Sequence, residues 1–481
     1  MHRASRTSFL ALLVGYALSA CSDQIVYRDR PTFTDPPSGA AGFLGFSTVD
    51  TKRTTCGNCH SGKQATWQNT AHAGAWETLV ASGAQARECE ACHSVSSKGN
   101  SATDTTAGYV ATRSPRYQDV QCESCHGPGL QHVTNPDVAT NKPLASLAVG
   151  PSLTNGCGEC HSGAHQPFVE QWAASRHAKV IDSRATNANC IGCHETRGIL
   201  AAWGIKSNFV ELTKTGPPYM AVNCVVCHDP HDKRNPKQLR FPVDVPSLDL
   251  NLCMKCHYRR AQPEVKSSSS PHSPQGPVLL GEAGWIPPNF EYPPKSLVGS
   301  HGSDRNPKLC ATCHVSGYDI NDKLTGKFAF RATGHSFQPI PCVDAQGIPT
   351  GATTCDDSQR SFKACVSCHL SETAARTARA VAILRLTRLA DQLDSLLARV
   401  PQSEFSTTDD KITTAEGARF NKQLGDPRAG NQPGSAIHNP FLVEALMLAS
   451  IKQIAIDYGL TIGASVSLRP QLTPPPQLTG K

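Results

Sequence analysis

The stretch Gln121-Cys-Glu-Ser-Cys-His-Gly-Pro-Gly-Leu-Gln-His132 carries two thiols, an imidazole directly behind the second, and a further imidazole a short step on. Cys-x-x-Cys-His is the spacing at which two thiols add to the vinyl groups of a haem while the adjacent His supplies the proximal iron ligand. It occurs nine times, and the copies are numbered here in chain order. Motifs 1 to 3 are Cys56/Cys59/His60, Cys89/Cys92/His93 and Cys122/Cys125/His126. Motifs 4 to 6 are Cys157/Cys160/His161, Cys190/Cys193/His194 and Cys224/Cys227/His228. Motifs 7 to 9 are Cys253/Cys256/His257, Cys310/Cys313/His314 and Cys365/Cys368/His369. One Cys-x-x-Cys alone would also suit a zinc knuckle or a redox dithiol. Zinc sites, however, pair it with a second such pair or with spaced His, whereas here His follows every copy at once. The sequence therefore predicts nine covalently held haem c groups.

The remaining cysteines balance. Of 21 Cys the motifs take eighteen, leaving Cys21, Cys342 and Cys355. A basic start with Arg3 and Arg6, an apolar run from Phe9 to Leu18 and then Leu18-Ser19-Ala20-Cys21 read as a secretory signal, too short to span a bilayer. Leu-Ser-Ala-Cys resembles a bacterial lipobox, which makes Cys21 an acylated anchor. Ser22 behind it resembles outer-membrane sorting, so the expected location is the outer membrane, on its periplasmic or cell-surface face. In that oxidising setting Cys342 and Cys355 are expected to form a disulfide closing a Pro/Gly/Thr-rich loop. The formal charge of +7 does not argue for nucleic acid. Nine ferric haems, each with two propionates against one residual iron charge, add about −9. Only 39 % of residues are hydrophobic and 6 % aromatic, so haem faces must supply much of the core.

Along the chain, residues 1–20 read as the lipoprotein signal and 21–50 as a flexible tether with Pro31, Pro36 and Pro37. Residues 51–260 hold seven motifs at an interval near 33 residues, the mark of a repeated unit. Helices are expected around Lys63 to Val80 and Pro167 to Val180, which share Trp-x-x-x-x-His as Trp67/His72 and Trp172/His177. Residues 261–371 form a two-motif segment with the disulfide loop. Residues 372–464 read as a helical hairpin. Its first helix has an apolar seam of Leu386, Leu389, Leu393, Leu396 and Val400, stopped by Pro401. The second is opened by Asn439 as N-cap and Pro440 in the first turn. Residues 465–481 read as a disordered tail. The expected class is mainly α with extensive irregular loops, arranged around a chain of haems.

Axial chemistry decides what a c-type haem does, because an open iron binds substrate and two strong ligands leave electron transfer. Of 19 His, nine are proximal and His2 leaves with the signal. The nine that remain match the motif count: His72, His132, His165, His177, His231, His272, His301, His335 and His438. They are the candidate distal ligands, with His272, in the loop Lys266-Ser-Ser-Ser-Ser-Pro-His272, the weakest placed. Met220 and Met447 are too few to substitute. All-imidazole ligation implies low-spin, low-potential haems.

Cys122-Glu-Ser-Cys-His-Gly-Pro-Gly-Leu-Gln-His132, Cys224-Val-Val-Cys-His-Asp-Pro-His231 and the two Trp-x-x-x-x-His segments resemble a known multihaem superfamily. It includes hydroxylamine oxidoreductase, octahaem tetrathionate reductase and their tetrahaem electron acceptors. His438-Asn-Pro before a helix is similar to bacterial extracellular multihaem cytochromes. The likeness covers roughly residues 56 to 257 and implies haems stacked in parallel and perpendicular pairs. No Cys-x-x-Cys-Lys motif is present, and no feature singles out a catalytic haem. The leading expectation is an electron relay in anaerobic or extracellular respiration, with other cytochromes or a membrane conduit as redox partners and lipid as its anchor. Two alternatives stand beside it. One is an oxidoreductase of a small nitrogen or sulfur compound with one open haem; the other is a subunit of a homo-oligomer or filament.

Overall fold

The computed structural model describes residues 42–149, 156–163, 165–205, 208–213, 219–268, 270–322, 325–429, 435–464 and 466–472. The expected signal, tether and acylated Cys21 lie almost wholly outside them. Helices dominate, sheet is sparse and loops are extensive. Two small antiparallel pairs are present: β1 (Phe46–Thr48) with β2 (Arg53–Thr54), and β3 (Tyr318–Asn321) with β4 (Phe328–Ala332).

The two expected Trp-x-x-x-x-His helices break between Trp and His. Helix α1 (Ser61–Trp67) ends at its tryptophan, and His72 begins a separate 3-10 turn ahead of α2 (Ala75–Ala81). Helix α3 (Phe168–Ala173) likewise stops before His177. The reason lies in the indoles. Trp67 Nε1 donates to Val120 O at 3.0 Å and Trp172 Nε1 to Val222 O at 2.8 Å. Each acceptor lies two residues ahead of a motif, motif 3 or motif 6, so the tryptophans bind the two halves of a repeat unit together. A continuous helix would carry the histidine away from that seam.

Side-chain cores in the motif-bearing region are small. One gathers Phe43, Trp76, Val95, Tyr109 and Tyr117, and another Leu147, Leu200, Phe209 and Val225. The large core belongs to the C-terminal helices. There α4 (Glu372–Leu397) buries Leu386, Leu389, Leu393 and Leu396 completely. Each such leucine contributes roughly 1.5–3 kcal/mol of transfer free energy. The expected hairpin is instead three helices, because the polar stretch after Pro401 contains α5 (Thr414–Gly425). Thr413 and Glu416 form a reciprocal capping box at its start, and Ala415, Ala418, Phe420 and Leu424 face the core. Helix α6 (Pro440–Asp457) is buried on most sides between α4 and α5, with Asn439 as N-cap and Pro440 in its first turn.

Within this bundle Arg385 and Glu444 pair at 2.7 Å, 5 % and 0 % exposed. Burying two charges is costly unless every remaining donor and acceptor is satisfied. Here the segment after α6 satisfies them. Arg385 donates to Ser467 O and Arg469 O, and Glu444 accepts from Gln471 N and Leu472 N. Residues 466–472, expected as the start of a loose tail, are therefore held against the bundle. The rest of the tail lies outside the described residues.

Candidate haem-binding site

Most motifs sit on a short helical turn, such as Cys122–His126, Cys224–Cys227 and Cys310–His314. Their eighteen cysteines form no disulfides, while Cys342 and Cys355 are bonded to each other. Among the described residues no three His, Cys, Asp or Glu side chains converge as a metal site, so the closed clusters that zinc requires are not assembled there.

The histidines are instead assembled in twos. His60 faces His132 with ring centroids 6.4 Å apart, and His126 faces His231 at 6.2 Å. His161 faces His72, His194 faces His272 and His257 faces His177, each at 6.2 Å. His228 faces His335 at 6.4 Å, while His314 faces His438 and His369 faces His301 at 6.1 Å. Metal–imidazole bonds of about 2 Å and a ring radius of about 1.1 Å put two imidazoles on one metal roughly 6.2–6.4 Å apart, centre to centre. The residues fit a haem iron between each pair. The loop residue His272, the weakest placed in the sequence, is in register with the rest.

The ring orientations agree. Nδ1 of His93 donates to Ala75 O at 2.8 Å, of His126 to Pro143 O, of His228 to Lys237 O and of His314 to Phe337 O, the last three at 2.9 Å. On the distal side Nδ1 of His301 donates to Ile437 O at 2.6 Å and of His335 to Thr333 O at 3.1 Å. Such a bond fixes the tautomer and leaves Nε2 as the metal-binding atom. Burial pulls the His72, His177 and His335 imidazoles down to about 4 and His438 to about 3. They are thus held in the neutral form that binds metal. Two open clefts adjoin the pairs. One of about 460 Å³ is lined by Cys59, His60, His231 and Arg234, the other of about 340 Å³ by Cys125, His126, Gln131 and Lys142.

One proximal ring is different. Among the described residues no histidine lies opposite His93, and His165 is exposed on a turn.

Several distal rings arrive through contacts far apart in sequence that the residue pattern did not reveal. Gln171 on α3 donates to Arg331 O at 2.7 Å and accepts from Thr333 N at 2.8 Å. That fastens the end of β4 and sets His335 over His228. Asn439 Nδ2 donates to Val278 O and Leu297 O, at 3.0 and 2.7 Å, seating His438. Glu123, inside motif 3, accepts from Leu44 N, Gly45 N and Gly129 N, although burial pushes its carboxyl up to about 7.

The thiols show which motifs are neighbours. Cys56 hydrogen-bonds Cys122, which raises Cys56 well above the ordinary thiol range and lowers Cys122. The same contact joins Cys157 to Cys224, Cys92 to Cys160, Cys193 to Cys256 and Cys253 to Cys310. Cys157 lies within electrostatic reach of Cys125, as Cys227 does of Cys253 and Cys365 of Cys313. Motifs 1, 3, 4, 6, 7, 8 and 9 therefore form one unbroken series. Motif 2 joins it at motif 4, and motif 5 joins it at motif 7.

Comparison with known proteins agrees with this site. Residues 55–127 match the cytochrome c554 and c-prime family and residues 217–262 the doubled CXXCH motif. The chain is a multihaem c-type cytochrome. It is 21 % identical over 303 residues to the multiheme cytochrome MtrA of Shewanella baltica, covering 59 % of this chain and 76 % of MtrA. It is 25 % identical over 294 residues to the C-type polyheme cytochrome OmcB of Geobacter sulfurreducens, covering 54 % of this chain and 35 % of OmcB. The cytochrome thus spans about a third of the length of OmcB. The outer cell wall cytochrome OcwA aligns with a TM-score of 0.44 at 17 % identity, covering 76 % of this chain and 75 % of OcwA.

Proposed function

We propose that this cytochrome carries nine haems and relays electrons end to end in anaerobic or extracellular respiration, anchored at the outer membrane through acylated Cys21. Bound haem supplies the one-electron couple. The polypeptide sets the spacing, caps the irons and excludes water. The observation that carries the reading is the unbroken series of motifs from 1 to 9, since electron transfer needs neighbouring cofactors and the neighbouring thiols fix where cofactors attach. Both ends are open to partners. Cys59 and His60 are exposed at motif 1, and at motif 9 Cys368 is exposed and Leu370 is 100 % exposed. Redox partners are another cytochrome, a membrane conduit, a soluble shuttle or a mineral. The printed descriptions of MtrA, OmcB and OcwA as cytochromes, one of them of the outer cell wall, support this placement.

The branching makes the relay testable. Removing the distal ring of a haem in the series, by His335→Ala at motif 6, is expected to lower electron flux from reduced methyl viologen to insoluble ferric oxide. The same change on a side branch, His272→Ala at motif 5, is expected to leave flux near that of the native protein. Equal effects from the two would overturn the relay. The oxidoreductase reading draws on one observation, the unopposed ring of His93, which would make motif 2 its active site.

A further inference from the structure

The distal rings follow a rule that the sequence interval alone does not state. Motifs 1 to 3 and motifs 4 to 6 are two copies of one unit, matched at Trp67 and Trp172, at their indole bonds to Val120 and Val222, and at the thiol pairs Cys56–Cys122 and Cys157–Cys224. In each copy the histidine after the tryptophan reaches forward to the first motif of the next unit. His72 faces His161 of motif 4, and His177 faces His257 of motif 7. The third motif of each copy takes its distal ring from beyond the third or corresponding motif of the next unit. His126 takes His231, and His228 takes His335.

The middle motifs are the side branches. In the second copy, motif 5 hangs on motif 7 through Cys193 and Cys256, and its distal ring His272 comes from the segment just after motif 7. In the first copy, motif 2 hangs on motif 4 in the same way, through Cys92 and Cys160. The equivalent segment is the one just after motif 4. Between His161 and α3 it contains one histidine, His165.

We propose that His165 is the sixth ligand of the motif 2 haem. The inference deepens the nine-haem reading and rests on it. Local geometry favours the assignment. The strand of chain behind motif 2 is tied to motif 4, since Gly99 N donates to Glu159 Oε2 at 2.6 Å and Gly156 N to Gly99 O at 2.9 Å. His165 sits four residues past His161, on a turn closed by Gln166 N donating to Gly163 O at 3.1 Å. Gly163 has φ +84 and no atom near its missing Cβ, so the turn has open space in which to re-aim the ring. An iron–imidazole bond supplies the free energy to order it. The remaining eight surplus histidines are each opposed to another proximal ring, so His165 is the one left to serve motif 2.

The test is the spin state of the purified ferric holoprotein by electron paramagnetic resonance, with haem stoichiometry from intact mass on the same samples. The native protein is expected to be wholly low-spin. His165→Ala is expected to convert one haem in nine to a high-spin form that binds carbon monoxide once reduced. His165→Met, which keeps six-coordination and guards against misfolding, is expected to move one haem in nine to a higher potential. A native protein with one high-spin haem, unchanged by His165→Ala, would overturn the assignment and make motif 2 the open site. A native protein and His165→Ala variant that are both wholly low-spin would overturn it in favour of another ligand. A mass short of nine haems would instead count against the nine-haem reading, separately from the assignment.

Discussion

Asn439 is 0 % exposed, and its side chain makes three hydrogen bonds. Oδ1 accepts from Leu442 N at 3.1 Å as the N-cap of α6, while Nδ2 donates to Val278 O at 3.0 Å and Leu297 O at 2.7 Å. Asn439→Ala removes the cap, worth about 1 kcal/mol. It also strips a donor from two carbonyls in the interior, at about 1–2 kcal/mol each, for a total of roughly 3–5 kcal/mol. Asn439→Asp keeps the cap but turns an oxygen toward both carbonyls, so it is expected to be at least as damaging. The consequence reaches iron because of what adjoins the residue. His438 faces His314, and Ile437 O holds Nδ1 of His301, which faces His369. Guanidinium unfolding followed by helical circular dichroism should show the destabilisation. Paramagnetic resonance should show high-spin character in up to two haems of nine, at motifs 8 and 9. If Asn439→Ala unfolds within about 1 kcal/mol of the native protein and keeps its spin state, the seating argument is wrong.

Three other outcomes are expected. Cys21→Ala should move the protein from the membrane fraction to the soluble one, and a variant that still pellets with membranes would refute the anchor. Neither Cys342 nor Cys355 should react with alkylating reagent in the intact protein, and replacing both with Ser should cost roughly 3 kcal/mol by loop entropy; two reactive thiols would count against the bond. Chain expressed without haem attachment should lose residues 42–260 to limited proteolysis while the bundle of α4, α5 and α6 resists, because only the bundle has a large side-chain core. Even digestion along the chain would contradict that.

The sequence is most readable where chemistry fixes spacing. Nine Cys-x-x-Cys-His motifs, the equal number of surplus histidines and the Asn439-Pro440 cap could all be read directly, since each is a local pattern with one physical purpose. The partner of each distal ring could not. His335 reaches motif 6 because Gln171 fastens β4, and no local pattern encodes a contact between residues so far apart. Helix α5 was readable and missed: Thr413-x-x-Glu416 ahead of Ala418 and Phe420 is a capping box, but the polar residues around it read as loop. The docking of residues 466–472 was hidden for another reason. It depends on a buried Arg385–Glu444 pair whose members look like ordinary surface charges on their helices.

The crossing of ligands between distant segments bears on how such a chain is made. Export and haem attachment proceed from the N-terminus, so an iron fixed at His60, His126, His194, His228 or His314 waits for a ring not yet delivered: His132, His231, His272, His335 or His438. Until then it has a vacant face able to react with oxygen or peroxide. A chain cut short before residue 438 is therefore not a shorter carrier but a reactive one, with a hazard at its broken end. Completion of the C-terminal bundle is the last stitch that makes the motif 8 iron inert.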